Sequence, residues 1–190
     1  MTTTRALIAK TPGSKFSVEN IERRAVGPNE VRIEIAYSGI CHSDIHQVRN
    51  EWFDGIFPMV PGHEIAGHIV EVGSAVTKFK VGDRAGIGTF VDSCGECEPC
   101  KNHQENYCLK GNVQTYNGRE YDGTATLGGY SKEIVAKADY VLHIPEGIDL
   151  AEAAPLLCAG ITVYSPLAHW QAGPGKKVAV LGMGGLGHLA

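Results

Sequence analysis

The sequence has few of the features that mark membrane, nucleic-acid-binding or secreted proteins. No run of apolar residues reaches the length of about 20 that a bilayer-spanning helix needs. Basic residues form no cluster and the formal net charge is −4, which disfavours nucleic acid or an anionic membrane surface as the main partner. The first residues lead into a strand-like segment without a targeting pattern. These absences predict a cytoplasmic protein that binds neither nucleic acid nor membrane.

Internal repeats and low-complexity tracts are also absent, and the pattern of apolar residues favours strands. Val31, Ile33 and Ile35 alternate with more polar neighbours, as in a half-buried strand. Further candidate strands span residues 16–21, 65–72 and 140–144. Short strands separated by Gly and Pro turns predict a mostly β fold of the small-barrel type.

A helical region is predicted after residue 148. Asp149 and Glu152 have the spacing of a capping box before an alanine-rich segment. Pro155 is expected to end or kink this helix, which places Cys158 near the start of the next one.

Six cysteines are present, and four of them lie within fifteen residues. Their pattern, C-x2-C-x2-C-x7-C on a loop rich in Gly and Pro, is typical of four thiolates that bind one structural Zn²⁺. The four are Cys94, Cys97, Cys100 and Cys108. The lobe from Asp92 to Leu109 has few apolar residues, so we expect the ion to fold it.

Two other uses of these four cysteines remain open. Disulfides or free thiols are disfavoured because clustered cysteines in a cytosolic enzyme more often bind metal. An iron–sulfur cluster can also use C-x2-C-x2-C spacing, but here the fourth cysteine follows after seven residues and no proline comes after it. The pattern therefore favours zinc.

The remaining two cysteines can form a second metal site with a histidine. Cys41 lies in GICHSDIH, His63 in PGHEIAG and Cys158 in PLLCAG. Two cysteines and one histidine are a ligand set of catalytic zinc, which leaves a fourth position for water or substrate. The three are far apart in sequence, so spacing does not prove the site, and a single cysteine is more often a small buried side chain.

A glycine-rich motif lies near the last residues. Residues 176–181 (KKVAVL) predict a buried parallel strand, and residues 188–190 predict the start of a helix. The G-x-G-x-x-G pattern between them binds a dinucleotide pyrophosphate when it joins a strand to a helix. The predicted contacts are Gly182, Gly184, Gly185, Leu186 and Gly187. A plain glycine-rich turn is the alternative.

Several motifs together resemble the zinc-dependent alcohol dehydrogenases of the medium-chain dehydrogenase/reductase superfamily. GHEIAG at residues 62–67 is followed by VGDR at 81–84 and then by the four-cysteine lobe. Four further motifs resemble one branch of the superfamily, the cinnamyl-alcohol-dehydrogenase-like branch, which includes bacterial NADP-dependent aldehyde reductases. They are NEW at 50–52, VDSC at 91–94, LGGY at 127–130 and PLLCAGIT at 155–162. The resemblance extends from Arg5 to Ala190.

This resemblance implies a mostly β GroES-like catalytic domain with a zinc lobe, followed by the start of an α/β Rossmann domain. We expect the catalytic domain at residues 1–158, with the structural zinc lobe at 92–109, and an incomplete NAD(P)-binding domain at 159–190. Family members are much longer, and a dinucleotide fold needs further βα units. The chain is therefore expected to be an N-terminal fragment, inactive by itself.

The implied activity is interconversion of primary alcohols and aldehydes by hydride transfer. The resemblance implies two Zn²⁺ per chain and NADP(H) rather than NAD(H), with reduction of aromatic or medium aliphatic aldehydes as the working direction. It also implies a homo-oligomer, a dimer or tetramer. Two other classes stay open: a zinc-binding fragment without activity, and an iron–sulfur electron-transfer protein.

Two residues near Cys41 match the proton relay of the family. Ser43 follows Cys41 by two positions, so its hydroxyl can approach the reacting oxygen. His46 can carry the proton onward, because histidine as a residue type titrates near neutrality. Without the resemblance, Ser43 would be predicted as the cap of a short helix and His46 as a surface histidine.

Two carboxylates are expected beside the catalytic ion. Asp44 is predicted to accept a hydrogen bond from the free ring nitrogen of His63 and to fix its tautomer; a plain first-turn carboxylate is the alternative. The family places Glu64 behind the zinc, and the alternative is a surface acid.

Four further positions match cofactor and substrate positions of the family. His42 matches a contact to cofactor phosphate and Thr162 a position that faces the nicotinamide. Trp52 and Phe90 match residues that line the substrate pocket, although each aromatic side chain could equally be core. Polyol-using relatives tend to have a carboxylate where this chain has Cys158, so aldehydes are favoured as substrates.

Overall fold

Short antiparallel strands are the main regular secondary structure up to residue 143 in the computed structural model, which describes residues 1–190. The nine strands are β1 (Thr2–Ile8), β2 (Ser17–Arg23), β3 (Glu30–Ser38), β4 (Ile65–Val72), β5 (Arg84–Ile87), β6 (Phe90–Asp92), β7 (Val113–Gln114), β8 (Glu133–Lys137) and β9 (Leu142–His143). The four helices are α1 (His42–Val48), α2 (Glu98–Lys101), α3 (Leu150–Pro155) and α4 (Ile161–His169). The expectation of a mostly β fold is confirmed.

The central sheet has five strands in the order β8-β3-β4-β5-β9, all antiparallel. The pairs β1–β2 and β6–β7 form two smaller sheets. Strands β8 and β9 remain the two edges of the central sheet, so the strand pairing does not close a full barrel. The predicted barrel is therefore only partly formed.

One face of the central sheet is the main hydrophobic core. Ile33 on β3 lies opposite Ile69 on one side and Ile134 on the other, and all three are buried. Val31 and Ile35 are also buried, as the alternation predicts. Full burial of each such side chain contributes about 1.5–3 kcal/mol, so this face holds the strands that carry the functional loops.

A kinked helical region follows the sheet. Asp149 caps α3, and its Oδ1 accepts the Ala151 N–H at 2.8 Å. Glu152 makes no reciprocal bond to the cap, so the predicted capping box is only half formed. As expected, the helix changes at Pro155: a five-residue π turn, Leu156–Gly160, separates α3 from α4.

Taken together, α3, the π turn and α4 form one continuous helical segment of 20 residues, Leu150–His169. Its length and apolar composition would allow it to cross a bilayer. This corrects the expectation that no segment reaches that length. The observation is weak support for a membrane helix, because Ala153 and Ala154 pack in a buried cluster with Ala66 of β4.

Two predicted strands differ in the structure. In the segment 140–144 only Leu142–His143 pairs, because Tyr140 belongs to a 3₁₀ turn. Residues 176–181 form no strand, and residues 188–190 form no helix. No strand of the described chain lies beside residues 176–181, so their backbone groups lack the partners that a parallel strand requires.

Candidate metal centres and the residues around them

Three predicted ligands from distant parts of the chain converge, together with one carboxylate. Ligand atoms of Cys41, His63, Glu64 and Cys158 all lie within 4.8 Å of one another. Cys41 precedes α1, the His63–Glu64 pair precedes β4, and Cys158 lies in the π turn. The alternative that each cysteine is only a small buried side chain of the hydrophobic core does not explain this convergence. Burial of an imidazole and a carboxylate beside two thiols is unfavourable unless these polar groups have partners.

The first ligand is placed by the start of α1. Cys41, not Ser43, is the N-cap, with extended backbone at φ −97° and ψ 152°. The Asp44 carboxylate closes the first turn, since its Oδ2 accepts the Cys41 N–H at 3.0 Å. Ser43 lies inside the first turn, and its Oγ is 3.4 Å from Cys41 Sγ. The expectation that Ser43 caps the helix is wrong, because the Asp44 carboxylate already satisfies the cap backbone.

Asp44 also holds the second ligand. His63 Nδ1 donates to Asp44 Oδ1 at 3.2 Å, and both side chains are buried. Asp44 accepts two further hydrogen bonds, from Gly62 N–H and from the Tyr130 hydroxyl, each at 3.1 Å. With Nδ1 bonded to the carboxylate, Nε2 of His63 is the nitrogen left for a metal ion. Asp44 is therefore both a first-turn carboxylate and the partner of His63.

The electrostatics of this cluster suit a cation. Burial alone lowers the pKa of the His63 imidazole, but hydrogen bonds with Asp44 and Cys158 raise it to about 11. The site thus stabilises positive charge at the centre of a thiol and carboxylate set. Burial raises the pKa of Glu64 to about 7, against the opposing effect of His63. Glu64 is only 3% exposed, so it is not the surface acid considered from sequence. These donors fit Zn²⁺.

Two glycines leave room for the turn that carries the third ligand. A Cβ added at Gly88 would lie 2.7 Å from the Leu157 carbonyl oxygen, and one at Gly86 would lie 2.6 Å from Leu157 Cδ1. The end of β5 therefore supports the π turn closely enough to set the position of Cys158, the next residue.

The four cysteines of the lobe meet as the sequence predicts. Their sulfur atoms all lie within 4.8 Å of one another, with Cys97 and Cys100 Sγ 3.3 Å apart and Cys94 and Cys100 Sγ 3.9 Å apart. Thiolates around one tetrahedral zinc at about 2.3 Å are about 3.8 Å apart. The spacing fits one ion better than a multi-iron cluster, in which the four cysteines are divided among two or four irons. None of the six cysteines forms a disulfide.

Backbone donors stabilise thiolates in this lobe. Cys94 N–H donates to Cys108 Sγ at 3.5 Å, and Cys97 N–H donates to Cys94 Sγ at 3.4 Å. The first of these contacts is the main reason that the pKa of Cys108 is lowered to about 6. Such N–H groups compensate the negative charge of a closed thiolate set.

A chain of two hydroxyls reaches the same lobe from the core side. Ser93 Oγ lies 3.1 Å from Cys100 Sγ, and the Tyr140 hydroxyl donates to Ser93 Oγ at 2.6 Å. The sulfur atom of Cys100 is thus held by a side-chain network as well as by its neighbours.

His46 is partnered but remains accessible. Its Nδ1 lies 2.5 Å from Glu51 Oε2, and its ring stacks on Trp52 with centroids 4.9 Å apart. The side chain is 35% exposed. Ser43 lies three residues earlier on the same helix, so the two predicted relay residues share one face of α1 without direct contact.

The residues predicted to bind the dinucleotide do not form a site among themselves. His42 is exposed, with its ring 5.3 Å from that of His46, and Thr162 is exposed in the first turn of α4. The Gly182–Gly187 segment is a turn without its strand and helix. The chain as described therefore offers no formed pyrophosphate pocket.

The two predicted pocket aromatics lie in different surroundings. Phe90 packs edge-on against Tyr140 at 5.8 Å and borders a cleft of about 750 Å³ that also reaches Leu157 and Ile161. Trp52 is 53% exposed beside His46 and does not line that cleft. Their role in a substrate pocket stays a prediction.

The cluster of Cys41, His63, Glu64 and Cys158 is called the mixed site. Three residues near it or near His46 were not predicted as functional. Tyr130 bonds Asp44, Tyr116 stacks on the His63 ring at 5.7 Å, and Glu51 contacts His46. Tyr130 lies in LGGY and Glu51 in NEW, two motifs that carried the family resemblance without assigning these residues a task, and Tyr116 had no sequence signal.

Known proteins resemble this chain in sequence and in structure. It is 59% identical to a probable formaldehyde dehydrogenase AdhA of Bacillus subtilis, over 98% of the chain and 54% of that protein. It is also 59% identical to NADP-dependent alcohol dehydrogenase C 1 of Mycolicibacterium smegmatis, over 100% of the chain and 55% of the relative. A crystal structure of CAD from Helicobacter pylori complexed with NADP(H) superposes with a TM-score of 0.95 at 48% identity, covering 98% of this chain and 54% of that one.

The chain therefore spans about half the length of the relatives it matches. The family profile described as "Alcohol dehydrogenase GroES-like domain" matches residues 27–146. That region contains the central sheet, the four-cysteine lobe and two of the three predicted ligands of the mixed site. On this match the chain belongs to the alcohol dehydrogenase GroES-like domain family.

Proposed function

We propose that this chain supplies the catalytic domain of a zinc-dependent oxidoreductase that interconverts primary alcohols and aldehydes with NADP(H). The observation that carries the proposal is the convergence of ligand atoms from Cys41, His63, Glu64 and Cys158 within 4.8 Å of one another. The substrates are small alcohols and aldehydes, in line with the names of the relatives. Reduction of aromatic or medium aliphatic aldehydes is the proposed working direction.

Two metal sites divide the work. Cys41, His63 and Cys158 would hold a catalytic Zn²⁺, and Cys94, Cys97, Cys100 and Cys108 a structural one. A zinc ion at the first site supplies a Lewis acid that favours the ionised form of an alcohol and polarises an aldehyde carbonyl. Asp44 holds His63 in the tautomer that leaves Nε2 free, which is the contribution of this chain to a stable ligand set.

The proton that an alcohol loses must reach solvent, and α1 offers a path. Ser43 Oγ lies beside Cys41 and is the first acceptor on this path. Ser43 and His46 are not in contact, so a bridging water or cofactor hydroxyl would have to carry the proton between them. His46, one turn later and 35% exposed, would then pass it to water. Its contacts with Glu51 and Trp52 hold the ring in one orientation.

The cofactor site is proposed for the full-length protein. We place the domain boundary at residues 158–159, with the incomplete NAD(P)-binding part from 159 to 190. His42, Thr162 and the Gly182–Gly187 turn would contribute to it, and Trp52 and Phe90 would line the substrate pocket. A cytoplasmic homo-oligomer is part of the same proposal.

The test is kinetic and uses the native full-length protein. An aromatic aldehyde is reduced with NADPH and with NADH, and kcat/KM is compared for the two cofactors. The expected result is a higher kcat/KM with NADPH and two zinc ions per chain by metal analysis. The proposal would be contradicted if neither NADPH nor NADH supported reduction of aromatic or aliphatic aldehydes. It would also be contradicted if the protein held only one zinc ion per chain.

The 190-residue chain alone should be inactive. The Gly182–Gly187 turn is not joined to a strand or a helix, so it cannot bury a dinucleotide. A binding titration with NADPH should show no saturable binding to this chain. Turnover by the isolated chain, free of longer protein, would contradict the domain division.

A further inference from the structure

The Asp44 carboxylate is hydrogen-bonded to two ligand residues of the mixed metal site. One oxygen accepts the Cys41 N–H and the other accepts the His63 ring N–H. Rotation of this carboxylate would therefore disturb both ligands at once. Whatever fixes the orientation of Asp44 also fixes the geometry of the metal site.

The Tyr116 hydroxyl also lies close to Asp44, but it makes no hydrogen bond of good geometry. Besides His63, the side chain that donates such a bond to Asp44 is Tyr130. Its hydroxyl donates to Oδ2 at 3.1 Å, the oxygen that also accepts the Cys41 N–H. The remaining donor is the Gly62 N–H on Oδ1. Each carboxylate oxygen thus accepts two hydrogen bonds, and removal of the Tyr130 hydroxyl would leave Oδ2 with one.

The chain places Tyr130 there by close backbone contact. Tyr130 N–H donates to the Pro61 carbonyl at 2.9 Å, and Gly129 N–H donates to the Gly62 carbonyl at 2.8 Å. A Cβ at Gly62 would lie 2.6 Å from Tyr130 Cδ1. The glycines therefore let the segment that carries Tyr130 lie directly against the loop that carries His63.

Tyr130 remains a donor under all ordinary conditions. Burial and the charge of Asp44 both raise the pKa of its phenol. The ring is also fixed on its outer side by Phe16, at a centroid distance of 6.2 Å. A hydroxyl that keeps its proton on a ring held from two sides is suited to orient a neighbouring carboxylate.

We propose that Tyr130 is a positioning residue for the mixed metal site, where its hydroxyl acts through Asp44 to fix the orientation of His63. The inference rests on the proposed function, since it assumes that Cys41, His63 and Cys158 hold zinc. It assigns a physical task to the LGGY segment, which from sequence alone indicated only family resemblance.

The test compares two tyrosines, each of which acts on one metal site through one intermediate residue. Tyr130→Phe removes the donor to Asp44, and Tyr140→Phe removes the donor to Ser93, which contacts Cys100. Tyr37→Phe is the neutral control, because Tyr37 is 49% exposed on β3. All three substitutions keep the aromatic ring and remove only a hydroxyl.

Zinc release from the native full-length protein is followed after addition of excess chelator with a zinc-sensitive dye. Tyr130→Phe should speed the release of one of the two ions by about threefold to tenfold. Loss of a ligand's direct partner costs about 10–100-fold in metal affinity, and Tyr130 acts one residue further from the ion. The other ion should leave at the native rate. Tyr130→Phe is expected to accelerate one phase of zinc release. Neither Tyr140→Phe nor Tyr37→Phe should change the rate of that phase.

A second measurement separates positioning from general destabilisation. With Co²⁺ in place of zinc, Tyr130→Phe should shift the visible absorption of the ion at the mixed site, and Tyr140→Phe should not. Native release of both ions from Tyr130→Phe overturns the inference and leaves the proposed function intact. Accelerated release of both ions overturns it as well, since a weakened domain would produce that result. If the native protein holds no ion at the mixed site, the proposed function itself fails.

Discussion

The two metal centres are built in opposite ways. The lobe draws all four ligands, Cys94 to Cys108, from one loop, whereas the mixed site draws its ligands from the start of α1, the loop before β4 and the π turn. The lobe is stabilised by its own backbone N–H groups. The mixed site depends on Asp44 and on the support of the sheet.

This difference shows which site responds to the fold. Ligands within fifteen residues can meet in a local loop as soon as the ion binds. Ligands separated by up to 117 positions (from Cys41 to Cys158) meet only after the central sheet has formed. The lobe should therefore tolerate distant substitutions, and the mixed site should be sensitive to them.

The largest effect should follow from loss of a ligand at the mixed site. Cys41→Ala in the full-length protein should remove one zinc ion of two and lower aldehyde reduction by about 10³-fold or more, because Lewis-acid assistance is worth several kcal/mol. Metal analysis and steady-state rates measure both effects. If the variant loses both ions, the two centres are not independent and the comparison fails.

A smaller loss is expected when the ligand set is intact and only the proton path is broken. Ser43→Ala should lower turnover by about 10²-fold, the usual value of a positioned proton transfer, while both zinc ions remain bound. Cys41→Ala is the contrasting variant, since it loses metal. Near-native alcohol oxidation by Ser43→Ala would show that Ser43 serves only the first turn of α1.

Sensitivity to the fold can be tested at the end of β5. Gly88→Ala places a methyl group 2.7 Å from the Leu157 carbonyl, so the π turn with Cys158 must shift. Overpacking of this kind costs about 1–3 kcal/mol, and we expect about tenfold weaker zinc binding at the mixed site with an unchanged lobe. Gly147→Ala is the matched control, because a Cβ there meets nothing within 4 Å. Equal zinc retention in both variants would show that β5 does not set the position of Cys158.

The smallest effect is expected at the lobe. Ser93→Ala removes the hydroxyl 3.1 Å from Cys100 Sγ, and a hydrogen bond of this kind contributes about 0.5–1.5 kcal/mol. The midpoint temperature of thermal unfolding, Tm, should fall by about 2–4 °C for each kcal/mol of stability lost in a chain of this size. Activity in the full-length protein should stay near native. A loss of activity comparable with that of Ser43→Ala would mean that the lobe acts on the reaction.

The sequence by itself determined the features that depend on near neighbours. The four-cysteine spacing predicted one closed site, and the alternation of Val31, Ile33 and Ile35 predicted the inward face of β3. Strand β4 and the kink at Pro155 were also predicted, because hydrophobic period and proline sterics are local. The three ligands of the mixed site were proposed from their residue types and from family resemblance, since no spacing relates them.

Tertiary structure decided the remaining features. Cys41 and not Ser43 is the N-cap of α1, and the Asp44 carboxylate accepts both the Cys41 N–H and the His63 ring N–H. Glu64 is buried instead of exposed, since it faces the mixed site. Residues 176–181 have a strand-like composition but form no strand, because hydrogen-bonding partners for a parallel strand must come from elsewhere in the fold. A residue pattern can specify which groups seek partners, but only the folded chain determines which partners are within reach.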